Sequence, residues 1–230
     1  MKFKSIAVPV LLIITGLAFG TICLRHIYIH YRWLHIKEHV AALVENKQYS
    51  QALPLLDNMQ KMRSSSYWVY ETRAWCLSRH SEISPEIQRN VDMAIRLDPT
   101  NATWAYYLRG KMLFDYDGEK AIASFSKIIS ATAPATIKCD AYFQRATLYG
   151  RGSNYPAAIA DTTRALEINP QQAGTLALRA YLYYCTSNYT AAENDFQRAI
   201  DIEPTNPTAI IVRGMMTNLP PTSAMQFNKE

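Results

Sequence analysis

The chain has 230 residues, 49% of them apolar and 11% aromatic, and a formal net charge of +5. That length and apolar fraction exclude a disordered chain and suit one ordinary domain or an array of about five short repeats. The charge is local: Lys2 and Lys4 contribute two, residues 25–66 carry six Lys/Arg against Glu38, Glu45 and Asp57, and residues 67–230 carry 16 of each sign, within totals of 24 basic and 19 acidic residues. The basic excess flanks an apolar segment rather than forming a basic face, which argues against a nucleic-acid partner.

After a basic tail at residues 1–5, residues 6–24 form an uncharged apolar run that opens on Ile6 and closes on Leu24. A helix of that length spans the roughly 30 Å hydrocarbon core of a bilayer, so a transmembrane helix is expected here. Ala18-Phe19-Gly20 has the small-x-small character of a signal-peptide cleavage site, but Thr21-Ile22-Cys23-Leu24 stays apolar where a mature chain would turn polar. An uncleaved signal anchor is therefore favoured. Lys2 and Lys4 on one side nearly balance Arg25, Arg32 and Lys37 on the other, which leaves open the side of the membrane that the rest of the chain faces. Gly16 and Gly20 form a G-x-x-x-G pair, either the seam of a homodimer or the ordinary glycine content of a membrane helix.

Beyond Arg25 there is no linker. Ile29, Trp33, Ile36, Val40 and Leu43 fall at helical spacing, which predicts that the anchor helix runs almost directly into the first repeat. Tyr28, Tyr31 and Trp33 would then sit at the headgroup level as an aromatic belt. The pairs His26/His30 and His35/His39 lie on nearly opposite faces of such a helix and cannot share an ion, so no metal or other cofactor is expected.

Residues 33–66 carry Tyr49, Ala52, Leu56 and Met59, with Ser64-Ser65-Ser66 as a connection. Residues 67–100 carry Trp68, Tyr70, Arg73-Ala74, Val91, Ala94 and Asp98-Pro99, and Ser84-Pro85-Glu86 predicts a helix start. Residues 101–138 carry Tyr106, Arg109-Gly110, Ala121, Phe125 and Ile128, with Asp117-Gly118 as an inter-helix turn and a longer connection over residues 130–136. Residues 139–172 and 173–206 then align without a gap, pairing Arg145/Arg179, Ala146/Ala180, Tyr149/Tyr183, Asn154/Asn188, Tyr155/Tyr189, Ala158/Ala192, Asp161/Asp195, Ala165/Ala199 and Pro170/Pro204 at a period of 34 residues. Arg213-Gly214 falls at the next expected place, which predicts a lone closing helix over residues 207–217; Leu219-Pro220-Pro221 then opens a polar tail, residues 218–230.

That period, with its small residue, two tyrosines, two spaced alanines and closing proline, resembles the tetratricopeptide repeat (TPR) family. The Arg-small dipeptide at positions 73, 109, 145, 179 and 213 is similar to the Arg-Gly variant of the repeat common in bacterial members. The resemblance implies an all-α solenoid of about four to five helix-turn-helix repeats preceded by one transmembrane helix. Residues 25–66 would hold a juxtamembrane helix and a degenerate first repeat, and residues 67–206 the repeats proper. Each small residue would let the first helix of a repeat, helix A, approach the second, helix B, closely. Asp follows Arg by 16 residues in Arg145/Asp161 and Arg179/Asp195, so each pair is expected to join helix A to helix B, the alternative being two solvated charges.

In the family, ligands lie in a concave groove lined by positions 2, 5, 9 and 12 of each repeat. Those positions hold Trp68, Glu71, Trp75 and Ser78; Trp104, Tyr107, Lys111 and Phe114; Asp140, Phe143, Thr147 and Gly150; and Gly174, Ala177, Tyr181 and Tyr184, with Ile211 and Met215 from the closing helix. The surface is aromatic, and Trp68, Trp75, Trp104 and Tyr107 are the first place to look for a protein or peptide ligand. The Lys/Asn/Arg carboxylate clamp of the chaperone-binding members is not matched, Lys111 being the sole basic residue at those positions. No phosphate loop, GxSxG, HExxH or Cys/His constellation appears, and His80 in a loop is an isolated histidine, so no enzymatic activity is expected. Cys23, Cys76, Cys139 and Cys185 show no metal spacing and read as free thiols, with Cys139 opening one helix A and Cys185 closing the next. Asn101-Ala102-Thr103 and Asn188-Tyr189-Thr190 match the glycosylation sequon but fit turn positions. The expected function is that of a membrane-anchored scaffold or adaptor, with a targeting receptor or an accessory subunit of a membrane enzyme complex as alternatives, in a single-pass arrangement in a bacterial inner membrane.

Overall fold

The computed structural model describes the backbone of residues 4–63, 65–79 and 84–217, and among these the side chains within residues 22–215. It divides into two compact units, Met1–Asp98 and Pro99–Glu230. The first holds α1 (Lys4–Glu45), α2 (Tyr49–Met62), α3 (Tyr67–Ser78) and α4 (Pro85–Leu97). The second holds α5 (Thr103–Leu113), α6 (Gly118–Ser130), α7 (Ala135–Arg151), α8 (Tyr155–Ile168), α9 (Ala173–Cys185), α10 (Tyr189–Ile202) and α11 (Pro207–Thr217). Within each unit every helix packs on its neighbours in sequence, and α11 also rests on α9.

The helix ends follow from local chemistry. Ser84, Asp117, Asn154 and Asn188 each cap a helix B, their side-chain oxygens accepting the amides of Ile87, Lys120, Ala157 and Ala191. Helix A ends at a left-handed residue in three turns: Lys47, Ser153 and Ser187 have φ of 59°, 58° and 61°. In those turns the amides of Gln48, Asn154 and Asn188 reach back 2.8 Å to the carbonyls of Leu43, Tyr149 and Tyr183, closing the helix with a six-to-one hydrogen bond.

The expected continuity at the amino-terminal end is observed as α1, one helix of 42 residues. The side chains of residues 6–21, including Gly16 and Gly20, lie outside the described residues, as do His80 and the tail at 218–230. Among the described residues no helix is long and apolar enough to cross a membrane. Trp33 does not join Tyr28 and Tyr31 in an exposed belt. It is buried, meeting Trp68 edge-on at 6.4 Å in a cluster with Val40, Leu56 and Met59, because α2 and α3 close over that face of α1. Tyr28 and Tyr31 stay exposed, as do all four histidines of α1. A second correction concerns the connection before α7: it is confined to residues 131–134, so Cys139 sits in the second turn of α7 rather than opening it.

The small residues of the Arg-small dipeptides do let helices approach closely. Ala74, Ala146 and Ala180 are buried, and a Cβ added at Gly110 would lie 2.6 Å from the ring of Phe125 on α6. Phe125 is itself fully buried, worth about 2–3 kcal/mol of hydrophobic transfer.

The arginines hold consecutive helices together. Arg145 donates from Nε to Asp161 Oδ2 and from Nη2 to Asp161 Oδ1, both at 2.7 Å, and from Nη1 to Ser126 Oγ at 2.8 Å. Arg179 repeats the arrangement with Asp195 at 2.6 and 2.9 Å and Thr163 Oγ1 at 3.2 Å. The two expected ion pairs are thus formed, and each guanidinium also reaches the preceding helix B, so one side chain spans three successive helices. Arg73 does the same in the first unit, between Asp57 of α2 and Glu86 of α4. A planar fork of donors suits this role in a way that an ammonium does not.

Candidate functional site

In the second unit, α5 places Trp104, Tyr107 and Lys111 three and four residues apart, on one side of the helix, and Phe114 follows as its C-cap. Trp104 and Tyr107 meet edge-on with ring centroids 6.0 Å apart, and Tyr107 meets Phe125 at 6.2 Å. The core thus supports Tyr107, which supports Trp104, and Trp104 remains 36% exposed. Phe114 lies between two cations, Lys111 Nζ at 5.5 Å and the Arg151 guanidinium at 4.7 Å from the ring centre, and Arg151 is held by Asp115 at 2.8 Å. Cation–π contacts of this kind help to hold a half-buried ring in place.

On α7, Phe143 is half-buried and Thr147 donates to its backbone carbonyl at 2.9 Å. Burial pushes the Asp140 carboxyl above the usual carboxylate range. Gly150 lies close to α9, since a Cβ there would meet Leu182 at 3.1 Å. The expected residues of α9 are largely taken up inside the fold. Ala177 is fully buried; Tyr181 is packed between two hydrophobic clusters, its phenol pushed up by a hydrogen bond with the Cys185 thiol. Tyr184 donates to the Met215 carbonyl at 3.3 Å and meets Tyr189 edge-on, so it braces α11. The accessible part of the expected surface in this unit therefore lies on α5 and α7, at Trp104, Tyr107, Lys111, Phe114 and Phe143, and on α11, where Ile211 is 58% exposed and Met215 half-buried.

In the first unit the same repeat positions serve the interior more than a ligand. Glu71 is buried, and Trp68 is half-buried against Trp33, with Lys37 Nζ at 5.1 Å from its ring centre. Trp75 is half-buried under the Arg79 guanidinium at 4.5 Å, with Ser78 donating to its carbonyl. Sequence reasoning missed the cations over these rings: Lys37 and Arg79 lie outside the repeat's ligand positions, and a Lys or Arg one helical turn after a tryptophan, as in Trp33/Lys37 and Trp75/Arg79, was the available signal.

All four cysteines are free thiols, Cys76 and Cys139 buried, and burial pushes the Cys76 thiol up to about 11. The single S–H of Cys139 has two acceptors in reach, the Ala165 carbonyl at 3.4 Å and Gln172 Oε1 at 3.2 Å. No group of three His, Cys, Asp or Glu side chains that could hold a metal is found among the described residues. What the α5 and α7 surface offers is apolar and aromatic area beside two positive charges, suited to an apolar or acidic peptide segment.

No family model matches the chain, and no curated protein does. Solved structures do. YrrB, described as a TPR protein with an unusual peptide-binding site, matches with a TM-score of 0.60 at 18% identity over 76% of this chain and 88% of its own. PilF of Pseudomonas aeruginosa matches with a TM-score of 0.67 at 14% identity, over 78% and 80%. MamA from Desulfovibrio magneticus RS-1 matches with a TM-score of 0.58 at 15% identity, over 76% and 97%. At such identities the likeness concerns the fold alone: an all-α arrangement of paired helices like that of these tetratricopeptide-repeat structures.

Proposed function

We propose that the protein is a membrane-anchored, non-enzymatic scaffold that binds partner proteins through the helix-A surface of its second unit. The observation that carries this reading is the exposed Trp104 standing on Tyr107 and Phe125, beside Lys111 and the cation-flanked Phe114. Partly exposed aromatics already held by their neighbours lose little conformational entropy when a partner covers them. The peptide site for which YrrB is described supports the class of ligand. The anchor rests on the uncharged run at residues 6–24 with its basic flanks, and the continuity of α1 through Glu45 supports a repeat array held close to the bilayer. The proposed location is a bacterial inner membrane with a single pass, and Gly16 and Gly20 offer a seam for a homodimer.

A photo-cross-linking side chain placed at position 104 of the full chain in cells tests the surface. Cross-links to a discrete partner that disappear in the Tyr107→Ala, Phe143→Ala variant are expected; equal cross-linking by both chains would sink the groove reading. Alkaline extraction tests the anchor, since the full chain should stay with the membrane pellet and a chain lacking residues 6–24 should not. A reporter fused to the carboxyl terminus shows which side the repeats face.

A further inference from the structure

The chain contains its own standard for what should cover α11. Counting back from α11 in repeat register, Ile210 corresponds to Leu176, Tyr142, Tyr106 and Tyr70. Leu176, Tyr106 and Tyr70 are 0%, 8% and 9% exposed and Tyr142 is half-buried, whereas Ile210 is 54% exposed. Leu176 is buried in one cluster with Phe196 and Ala199 of α10 and Val212 of α11, the helices that come after it. Arg213 corresponds to Arg179, Arg145 and Arg73, whose side chains are 15%, 18% and 18% exposed and held by carboxylates. Arg213 is exposed, lies over the Phe196 ring at 5.7 Å, and has no carboxylate partner among the described residues. The small residue, buried as Ala146 and Ala180, is exposed as Gly214.

In the two regular repeats the helix that fills this seat places an alanine in one cluster with the small residue and, three residues later, an aspartate against the arginine: Ala158 and Asp161 in α8, Ala192 and Asp195 in α10, all buried. We infer that α11 is a docking seat for an amphipathic helix of a partner protein bearing a small residue three positions before an acidic one, its carboxylate taken by Arg213 and its apolar side covering Ile210. The charge complementarity comes from the repeat itself, because an exposed guanidinium beside an exposed isoleucine reproduces half of an interaction that the chain completes elsewhere. This seat is independent of the Trp104 surface.

The test uses the chain's own helix as probe. A fluorescent peptide of residues 189–202, bridged between positions 197 and 201 because both are exposed in α10, is titrated into the full chain in mild detergent. Saturable binding is expected, weakened at least about tenfold by Arg213→Glu and also by Ile210→Glu. A peptide with Asp195→Arg should bind the wild-type chain poorly and recover on the Arg213→Glu chain. Ala substitutions at Trp104 and Tyr107 should leave this binding unchanged, which separates it from the function proposed above. Both α11 positions are exposed, so circular dichroism should show full helicity in each variant. Absence of saturable binding, or equal binding by both α11 variants and the wild type, overturns the inference. So does binding tightened more than about tenfold on deletion of residues 219–230, which would mean that the chain's own end occupies the seat.

Discussion

Removing Asp195 is the sharpest probe of how these repeats hold together. Its carboxylate accepts two hydrogen bonds from Arg179, at 2.6 and 2.9 Å, and the two side chains are only 5% and 15% exposed. In Asp195→Ala the guanidinium keeps Thr163 Oγ1 and the nearby ring of Tyr183 but loses its counter-charge where water reaches it poorly. Leaving one partner of a buried pair behind costs about 3–5 kcal/mol, and the residual exposure of Arg179 places the expected value near the lower end. The surface pair Arg164–Glu167, 64% and 54% exposed, is the control, and Glu167→Ala should cost less than about 0.5 kcal/mol. Urea unfolding gives the totals, and amide hydrogen exchange gives the location. Because repeat stability is largely a nearest-neighbour sum, the amides of α9, α10 and α11 should lose protection by roughly a hundredfold. Those of α3 and α4 should not change. Replacing both partners, Arg179→Met with Asp195→Leu, should recover most of the loss, since no charge is then stranded. An Asp195→Ala cost below about 1 kcal/mol, or equal to that of Glu167→Ala, would refute the reasoning.

The small residue of the Arg-small dipeptide gives opposite outcomes at two places in thermal melts. Gly110→Ala should destabilise by about 1–2 kcal/mol, overpacking against Phe125 outweighing the gain in helix propensity, and Phe125→Leu should relieve it; Gly214→Ala, whose Cβ meets nothing within 4 Å, should be neutral or stabilise by up to about 1 kcal/mol. Ser153→Gly and Ser187→Gly, at the left-handed helix ends, should each raise stability in urea titrations by about 0.5–1 kcal/mol, and a loss would mean that the serines do more than turn the chain. Burial holds the Glu193 carboxyl above its ordinary value, and its Oε2 has no hydrogen-bond partner among the described residues. Between the ordinary and raised values the folded chain keeps a proton that the unfolded chain has lost, so stability falls as pH rises through that window. Glu193→Gln should therefore stabilise at about pH 7 and have no such effect at about pH 4, and an equal gain at both would refute the burial argument.

Repeat period, helix order and the arginine–aspartate pairs were legible in the linear pattern because each is a matter of spacing: a 34-residue recurrence carries the same local chemistry to the same place. Ser84, Asp117, Asn154 and Asn188 cap their helices through atoms within three residues, and no long-range information is needed to foresee that. The candidate surface was less legible. The register that exposes Trp104 also nominates Glu71, Ala177 and Tyr181, yet these are buried or packed between clusters. Whether a helix-A side chain faces water depends on how far the next helices reach over it.

By itself, then, the sequence determined that residues 33–206 form paired helices followed by a lone closing helix, that a small residue beside each arginine admits a neighbouring helix, and that charge is balanced over residues 67–230. Only the tertiary structure decided that Trp33 belongs to the core rather than to an exposed belt, that each of Arg73, Arg145 and Arg179 reaches both flanking B helices, and that α11 leaves Ile210 and Arg213 uncovered. The physical reason is that spacing sets which side chains share a face of one helix, while burial and charge pairing are settled by which other helices arrive at that face.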